Sequence, residues 1–262
     1  MNLVLVLGAA VVLALAIPSC SLVPGSPEGV AKKMLHAYGG SEKAARLESF
    51  AGKGFIRDLS SEVVAKSFAF DVYRKGKLYK HVIMSAPGGK LTEVIVVYYD
   101  GTTSRAWMSG KGTTTIPAME LGLLTYRFPD VIRWVQGAGR TGEVLPGTKG
   151  ESVVRVRYKD GDNVVTLALD RKSWLLSGIV VTSPRDSSAV FTEGYDHYTE
   201  IEGIPFPQEF KATFQGYPYY EYLLVSVKLG VDLPDSLFRV TAADSMGLAK
   251  PSKVEREDAP KR

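Results

Sequence analysis

Hydrophobic and polar residues follow two different periods along this chain, and the first patterned segment is helical. Pro27 opens it at a position where a missing backbone N–H costs nothing, and Val30, Met34 and Tyr38 then fall on one face. Two consecutive glycines follow, and glycine readily takes the left-handed conformation that ends a helix. The pattern therefore predicts an amphipathic helix, and Ser41 can cap a second short helix through Leu47, before the first strand.

From Phe50 onward the period changes to two, which is typical of half-buried strands. Phe68, Phe70 and Val72 alternate with polar or small residues, and Asp-Gly and Lys-Gly pairs mark the turns between such segments. The pattern predicts roughly nine to eleven antiparallel strands. Consecutive hairpins favour one sheet that curls on itself, because curling removes exposed edges.

One stretch, residues 117–136, interrupts the strand pattern and predicts two short helices split at Phe128-Pro129. Apolar side chains crowd this insertion on more than one face. One interpretation is a helical lid over an apolar cavity, as in many ligand sites. The other is a helix pair that plugs the barrel and completes its core. The candidate ligand-binding side chains are Phe68, Phe70, Trp107, Met119, Leu123, Leu124, Phe128 and Trp134.

The first nineteen residues carry no charged side chain. Residues 3–17 form an apolar run that is shorter than the roughly 18–20 residues of a spanning helix and typical of a secretory signal. The run ends in Ile17-Pro18-Ser19-Cys20, which resembles the lipobox of bacterial lipoproteins, where a peptidase cuts just before a lipid-modified cysteine. We therefore expect residues 1–19 to be a signal peptide and Cys20 to be lipidated.

Cysteine usage supports lipidation over the alternative, an ordinary signal peptide with an incidental cysteine. Cys20 is the only cysteine of the 262 residues, so it cannot form an internal disulfide. Lipidation would also remove an exposed thiol from an oxidising compartment. Ser21 rather than Asp follows the cysteine, and resemblance to Gram-negative sorting rules then favours the periplasmic face of the outer membrane.

Composition adds little to this picture of an exported β-rich chain. The net charge is +4, but Lys and Arg are spread out without a block of like charges, which argues against nucleic acid as a partner. Glycine (26 residues) and proline (14 residues) supply the many turns that a sheet of hairpins needs. The polar segment 249–262 is expected to be a disordered, charged tail.

No motif for catalysis is present. The chain lacks G-x-S-x-G, S-x-x-K, H-E-x-x-H and G-K-[ST]. A formal G-x-G-x-x-G match at residues 137–142 follows an apparent helix instead of a strand, so we interpret residues 137–150 as a loop. We expect no enzyme activity, no cofactor and no metal.

Two polar groups resemble metal ligands but are expected to have structural roles. Asp196 and His197 are adjacent on a predicted strand, where neighbouring side chains point to opposite faces and do not converge. With Glu193, Glu200 and Glu202 they crowd a predicted turn, and a calcium loop would need tighter spacing. A solvated hairpin is the expectation there.

Three segments together resemble the LolA/LolB-like (outer-membrane lipoprotein-sorting protein) superfamily: residues 39–54, 195–207 and 229–238. The resemblance extends over nearly the whole mature chain. It implies a mainly β (α+β) fold, namely a single curled antiparallel sheet or unclosed β-barrel, with an N-terminal helix, a helical lid insertion and an apolar cavity. Better-known members of the superfamily carry or receive lipoprotein acyl chains and perform no chemistry.

The expected organisation is a signal peptide (1–19), a lipidated tether (20–27), the barrel domain (28–248) and the tail (249–262). The expected function is that of a monomeric, membrane-anchored periplasmic lipoprotein that binds an acyl chain, lipid or lipoprotein and takes part in transfer to the outer membrane. The alternative is a structural lipoprotein that binds a protein partner in the envelope.

Overall fold

The computed structural model describes residues 25–59, 66–85, 93–100, 103–115, 126–137, 141–148, 150–183 and 186–238. Cys20, Met119, Leu123 and Leu124 lie outside these ranges, as do the expected signal peptide and tail. No helix in the described ranges is long and apolar enough to cross a membrane.

The first helix begins at the residue that the sequence predicts, whereas the second begins at Gly40, before the predicted Ser41 cap. Helix α1 spans Pro27–Ala37, and the Ser26 hydroxyl accepts a hydrogen bond from the Gly29 amide at 3.2 Å, which caps its first turn. Pro27, assigned above to the tether, is therefore the first residue of the helix. The other helical elements are α2 (Gly40–Ala45), α3 (Asp130–Trp134) and the 3-10 turns Arg46–Glu48 and Asp235–Phe238.

The described residues form one antiparallel sheet of thirteen strands in the order β6-β5-β4-β3-β2-β1-β13-β12-β11-β10-β9-β8-β7. The strands at the two ends of this order are not paired with each other, so the sheet is curled but unclosed, as predicted. The strands are β1 Ser49–Asp58, β2 Lys66–Lys75, β3 Leu78–Ser85, β4 Glu93–Tyr99, β5 Ser104–Met108, β6 Gly112–Thr115, β7 Gly142–Val144, β8 Val153–Asp160, β9 Asn163–Asp170, β10 Leu176–Ser183, β11 Asp186–Ile201, β12 Ile204–Phe214 and β13 Tyr217–Leu229.

The predicted count was too low because two short strands were missed. They are β6 and β7, of 4 and 3 residues, and they form the two edges of the sheet. Edge strands are often short and polar, so the alternation of hydrophobic and polar residues that marks a strand is weak in their sequence. Strand β7 lies inside the stretch that we had interpreted as a loop.

Helix α1 and the segment that contains α3 pack against the same side of the sheet, which we call the inner face. Val30, Met34 and Tyr38 of the first helical region join the main core, together with Ile132 of α3 and Phe206 of β12. Helix α3 confirms the second predicted helix of the insertion. The first predicted helix falls mostly on residues that the structure does not describe.

The opposite side, the outer face, carries a separate hydrophobic cluster on β3, β4 and β5. In the strand register His81 pairs with Val72, whereas the next residue, Val82, pairs with Val96. Because neighbouring residues of a strand point to opposite faces, His81 belongs to the inner face and Val82 to the outer face. Within the described residues, the outer cluster consists of Val82, Met84, Val94, Val96, Tyr98 and Trp107.

Candidate functional site

A cavity lies between the inner face and the lid segment, by which we mean residues 126–137. Its volume is about 70 Å³. Strands β2, β3, β12 and β13 form one wall, and the first residues of the lid segment form the other. The lining residues are Phe70, Val72, Arg74, Tyr79, His81, Arg127, Phe128, Pro129, Asp130, Phe210, Tyr222 and Leu224.

Phe128 is the centre of the aromatic packing beside this cavity. Its ring centroid lies 4.9 Å from that of Phe206, 5.8 Å from Tyr38 and 6.3 Å from Phe210, in edge-on or tilted arrangements. Such aromatic pairs are favourable beyond the area they bury. They join the lid segment, the N-terminal helical region and the sheet into one apolar body.

A buried ion pair attaches the lid segment to the sheet. The Arg127 Nε donates to both carboxylate oxygens of Glu193, at 3.0 and 3.1 Å, and Nη2 lies 2.8 Å from Oε1. Two hydroxyl groups also donate to this carboxylate, Tyr195 at 2.7 Å and Tyr220 at 2.8 Å. The Tyr195 hydroxyl in turn accepts from the Phe128 amide at 3.1 Å. The carboxylate is thus supplied with several donors although its side chain is 0% exposed.

The charges in this network stabilise each other. Burial alone lowers the pKa of Arg127, but Glu193 and the nearby tyrosines outweigh it and leave the pKa well above its usual value. Burial, followed by the charge of Glu193, raises the pKa of Tyr195. The tyrosine therefore stays a neutral donor while the arginine stays charged. Removing Arg127 or Glu193 alone would leave the charge of the other without its counter-ion.

Two further contacts hold the lid segment at its sides. The Asp160 carboxylate accepts hydrogen bonds from the Tyr126 hydroxyl at 3.0 Å and from the Trp134 indole at 2.9 Å. Arg74 of β2 forms an ion pair with Asp130 at the start of α3. Burial is the main cause that lowers the pKa of Arg74, to about 10, so this side chain remains charged at neutral pH.

His81 is the unusual residue of the cavity wall. It is 4% exposed, and its ring centroid lies 4.9 Å from Phe70 and 5.5 Å from Tyr222. Burial, with a smaller effect of the Arg127 charge, lowers its pKa to about 3, so the ring is neutral at physiological pH. Within the described part of the chain, its Nε2 atom has no hydrogen-bond partner.

The structure brings some of the predicted ligand-binding residues to the cavity and separates others from it. Phe70 and Phe128 line the cavity, Phe68 is half-buried beside the main core, and Trp134 is buried in that core. Trp107 lies in the outer cluster on the opposite face. Strand parity directs the Trp107 side chain to the outer face, so it does not meet Phe70, Phe128 or Trp134.

The sequence interpretation missed the polar residues of the site, and for Glu193 it was wrong. We expected this residue in a solvated hairpin, but its side chain is buried. The sequence did contain a sign that Glu193 is buried, because Glu193 alternates with the hydrophobic residues Phe191 and Tyr195 on one face of β11. A charge in such a position indicates a buried partner, here an arginine distant in sequence.

Asp196 and His197 also differ from expectation. Their side chains do converge, with that of Glu209, so that one polar atom of each lies within 4.8 Å of the others. His197 has a φ of 50°, so it departs from the extended geometry that would separate the pair. Its Nε2 lies 3.2 Å from Glu209, and Lys211 lies 3.4 Å from the same carboxylate. These contacts to Glu209 account for the arrangement at an exposed position.

Comparisons with known proteins bear on the fold. No protein-family model matches the chain, and no curated protein matches it. A LolA superfamily protein from Nitrosomonas europaea is similar with a TM-score of 0.55 and 14% identity, over 80% of this chain and 97% of its own. A DUF1329 family protein from Desulfovibrio piger is similar with a TM-score of 0.54 and 10% identity, over 81% of this chain and 96% of its own.

A domain from Vibrio parahaemolyticus, described as an outer membrane lipoprotein-sorting protein, is similar with a TM-score of 0.51 and 12% identity, over 79% of this chain and 97% of its own. Identities this low show the fold alone. The chain therefore has the LolA-like fold that the sequence resemblance implied.

Proposed function

We propose that this protein is a lipoprotein, anchored through Cys20 at the periplasmic face of the outer membrane, that binds a hydrophobic ligand between the inner face and the lid segment. The ligand class is an acyl chain, of a lipid or of a lipoprotein in transfer. The observation that carries the proposal is the cavity, which aromatic and aliphatic side chains line beneath a segment attached by ion pairs.

The size of the cavity bears on how a ligand would enter. An apolar cavity of about 150 Å³ takes up benzene, and this one has about 70 Å³. A whole acyl chain therefore requires the lid segment to move outward. Such movement would separate Phe128 from Phe206 and Tyr38, and water would replace the hydrogen bonds of the lid segment to Glu193 and Asp160.

The anchor supports a fixed acceptor over a freely diffusing carrier. One acyl chain gives only marginal membrane binding, whereas two or more give stable attachment. The Vibrio domain named for lipoprotein sorting shares the fold, which supports the transfer role.

In cells, a Cys20→Ala variant should leave the lipoprotein fraction of the outer membrane, as fractionation and intact-mass measurement would detect. A variant that keeps the same membrane fraction and the same mass shift would contradict lipidation.

The cavity itself is tested by filling it. Val72 and Val82 lie on neighbouring strands, are 8% and 7% exposed, and point to opposite faces. In a chain that begins at Ser21 and so keeps every described residue, Val72→Phe should lower the affinity for a fluorescent acyl probe by about tenfold or more. Val82→Phe, which overpacks the outer cluster to a similar degree, is the matched control and should bind as the unmodified chain does.

Equal affinities for the probe in both variants would contradict a ligand site at the cavity. Absence of probe binding by the unmodified chain would contradict hydrophobic-ligand binding altogether.

Binding of an envelope protein is the second candidate function, and the outer face favours it. Among the described residues, the large hydrophobic side chains that are exposed all lie on β1 and β13, and Phe55 and Leu223, each 49% exposed, are register partners there. A clustered exposed apolar surface marks an interaction site. A photocrosslinker at position 223 in intact membranes should then yield one protein adduct. Adducts with lipid alone would contradict this function.

A further inference from the structure

His81 occupies a position of the cavity wall where an apolar side chain would be expected. Its neighbours on the same face are the register partner Val72, the ring of Phe70 and, two residues along the strand, Ile83. An aliphatic residue at position 81 would pack there without any polar atom to satisfy. The imidazole instead places a nitrogen where, among the described residues, no donor or acceptor meets it.

An unsatisfied buried nitrogen is unfavourable, and native structures contain few. The ring is neutral because burial and the nearby charge of Arg127 disfavour its protonated form. A neutral imidazole offers one donor and one acceptor. His81 is thus equipped to form a hydrogen bond with a molecule that enters the cavity, without bringing a charge into it.

The charged residues of the same cavity indicate what kind of group this molecule carries. Arg127 is paired with Glu193, and Arg74 is paired with Asp130, so the positive and negative charges beside the cavity balance. An ionised ligand would add an uncompensated buried charge, which is strongly unfavourable. A neutral oxygen adds none. It would also find the N–H groups of two guanidinium ions in the lining.

We propose that His81, with Arg74 and Arg127, forms a polar subsite that receives a neutral oxygen of an acyl lipid, its ester carbonyl or its hydroxyl group. The attached hydrocarbon lies against Phe70, Phe128 and Leu224 of the same cavity. The ligand is therefore an esterified or hydroxylated acyl compound, bound with this group inward. The inference rests on the proposed function, because it assigns the head group of the ligand of that site.

The test compares ligands that differ only at the head. Alkyl compounds of one chain length, namely a methyl ester, an alcohol, an ionised fatty acid and an alkane, compete with a fluorescent acyl probe on the chain that begins at Ser21. The ester and the alcohol should bind about tenfold more tightly than the alkane, which corresponds to one hydrogen bond formed in a dry site. The ionised acid should gain no such advantage.

Two variants assign this preference to the imidazole. His81→Leu removes the polar ring and should bring the ester and the alkane to within about twofold of each other while the alkane binds as before. His81→Gln restores a hydrogen-bonding group and should recover part of the preference. Ile83→Leu, on the same face of β3, is the control for a packing change and should keep the full preference.

The outcomes separate the two proposals. Alkane binding without any head-group preference in the unmodified chain, or an undiminished preference in His81→Leu, would overturn the polar subsite and leave the hydrophobic site standing. The first of these results would also indicate that an internal water satisfies His81. If none of the compounds binds, including the alkane and the probe, both the proposed function and the polar subsite are overturned.

Discussion

The two faces of strand β3 show how this sheet separates packing from binding. Val82 and Met84 point outward into a cluster whose described members are all hydrophobic. Tyr79 and His81 point inward to the cavity, where Arg127 and other charged side chains lie. Alternate residues of one strand thus meet a hydrophobic cluster and a mainly apolar cavity that also has charged side chains in its lining.

This difference indicates what each face contributes. Apolar packing on the outer face stabilises β3, β4 and β5 and needs no specific partner. The inner face contains several buried or half-buried charged side chains. Such charges are tolerated only when a counter-ion or hydrogen-bonding group compensates them. The partners of Glu193 and Asp130 are arginines that link the lid segment to the sheet. Mutations in the outer cluster should therefore change stability without changing ligand binding at the cavity.

The largest expected effect is that of breaking the buried ion pair. Glu193→Ala leaves Arg127, whose side chain is only 20% exposed, without its counter-ion and should lower the free energy of unfolding by about 3–5 kcal/mol. This loss is measured by urea unfolding. The double variant Glu193→Leu, Arg127→Met removes both charges and should recover most of the loss. If Glu193→Ala lowers the free energy of unfolding by no more than the double variant does, the two charges do not stabilise each other as proposed.

The outer cluster should affect stability without affecting binding. Trp107→Ala removes a buried indole from that cluster and should lower the free energy of unfolding by about 3 kcal/mol. At temperatures where the variant is folded, its affinity for the acyl probe should equal that of the unmodified chain. A parallel loss of affinity would show that the two faces are coupled through the sheet.

His81 gives the smallest of the three effects, and it depends on pH. Its pKa falls from 6.5 to about 3 on folding, so below pH 6.5 the unfolded chain binds a proton that the folded chain does not. The stability that the neutral ring maintains at pH 7 is therefore lost as the pH falls from 6.5 towards 3, by at most about 1.4 kcal/mol per pH unit.

This pH dependence is measured as a difference between two chains. Between pH 6.5 and pH 5 the unmodified chain should lose about 1.6 kcal/mol more than His81→Leu in urea unfolding. Because both chains contain the same carboxylates, the contribution of these groups to the pH dependence cancels in the comparison. Parallel stability curves would show that His81 is not buried as a neutral ring.

The sequence predicted the sheet better than the site, for a physical reason. Strand periodicity is local, so the alternation of Phe68, Phe70 and Val72 correctly predicted a strand, which is β2. The edge strand β7 has only three residues and no room for a period. Whether Glu193 is buried depends on Arg127, 66 residues away, and no local pattern encodes that pairing. Likewise, Trp107 was grouped with the cavity because it is large and apolar, although its strand parity directs it to the outer face.

Mass spectrometry of the natively purified chain that begins at Ser21 is the decisive test of whether the inner face holds a hydrophobic ligand. This chain lacks Cys20, so any lipid it carries is bound without a covalent bond. Denaturation should release an acyl compound from the unmodified chain and from Val82→Phe, and much less of it from Val72→Phe. Release of no lipid from the unmodified chain, or equal amounts from both variants, would contradict hydrophobic-ligand binding at the inner face.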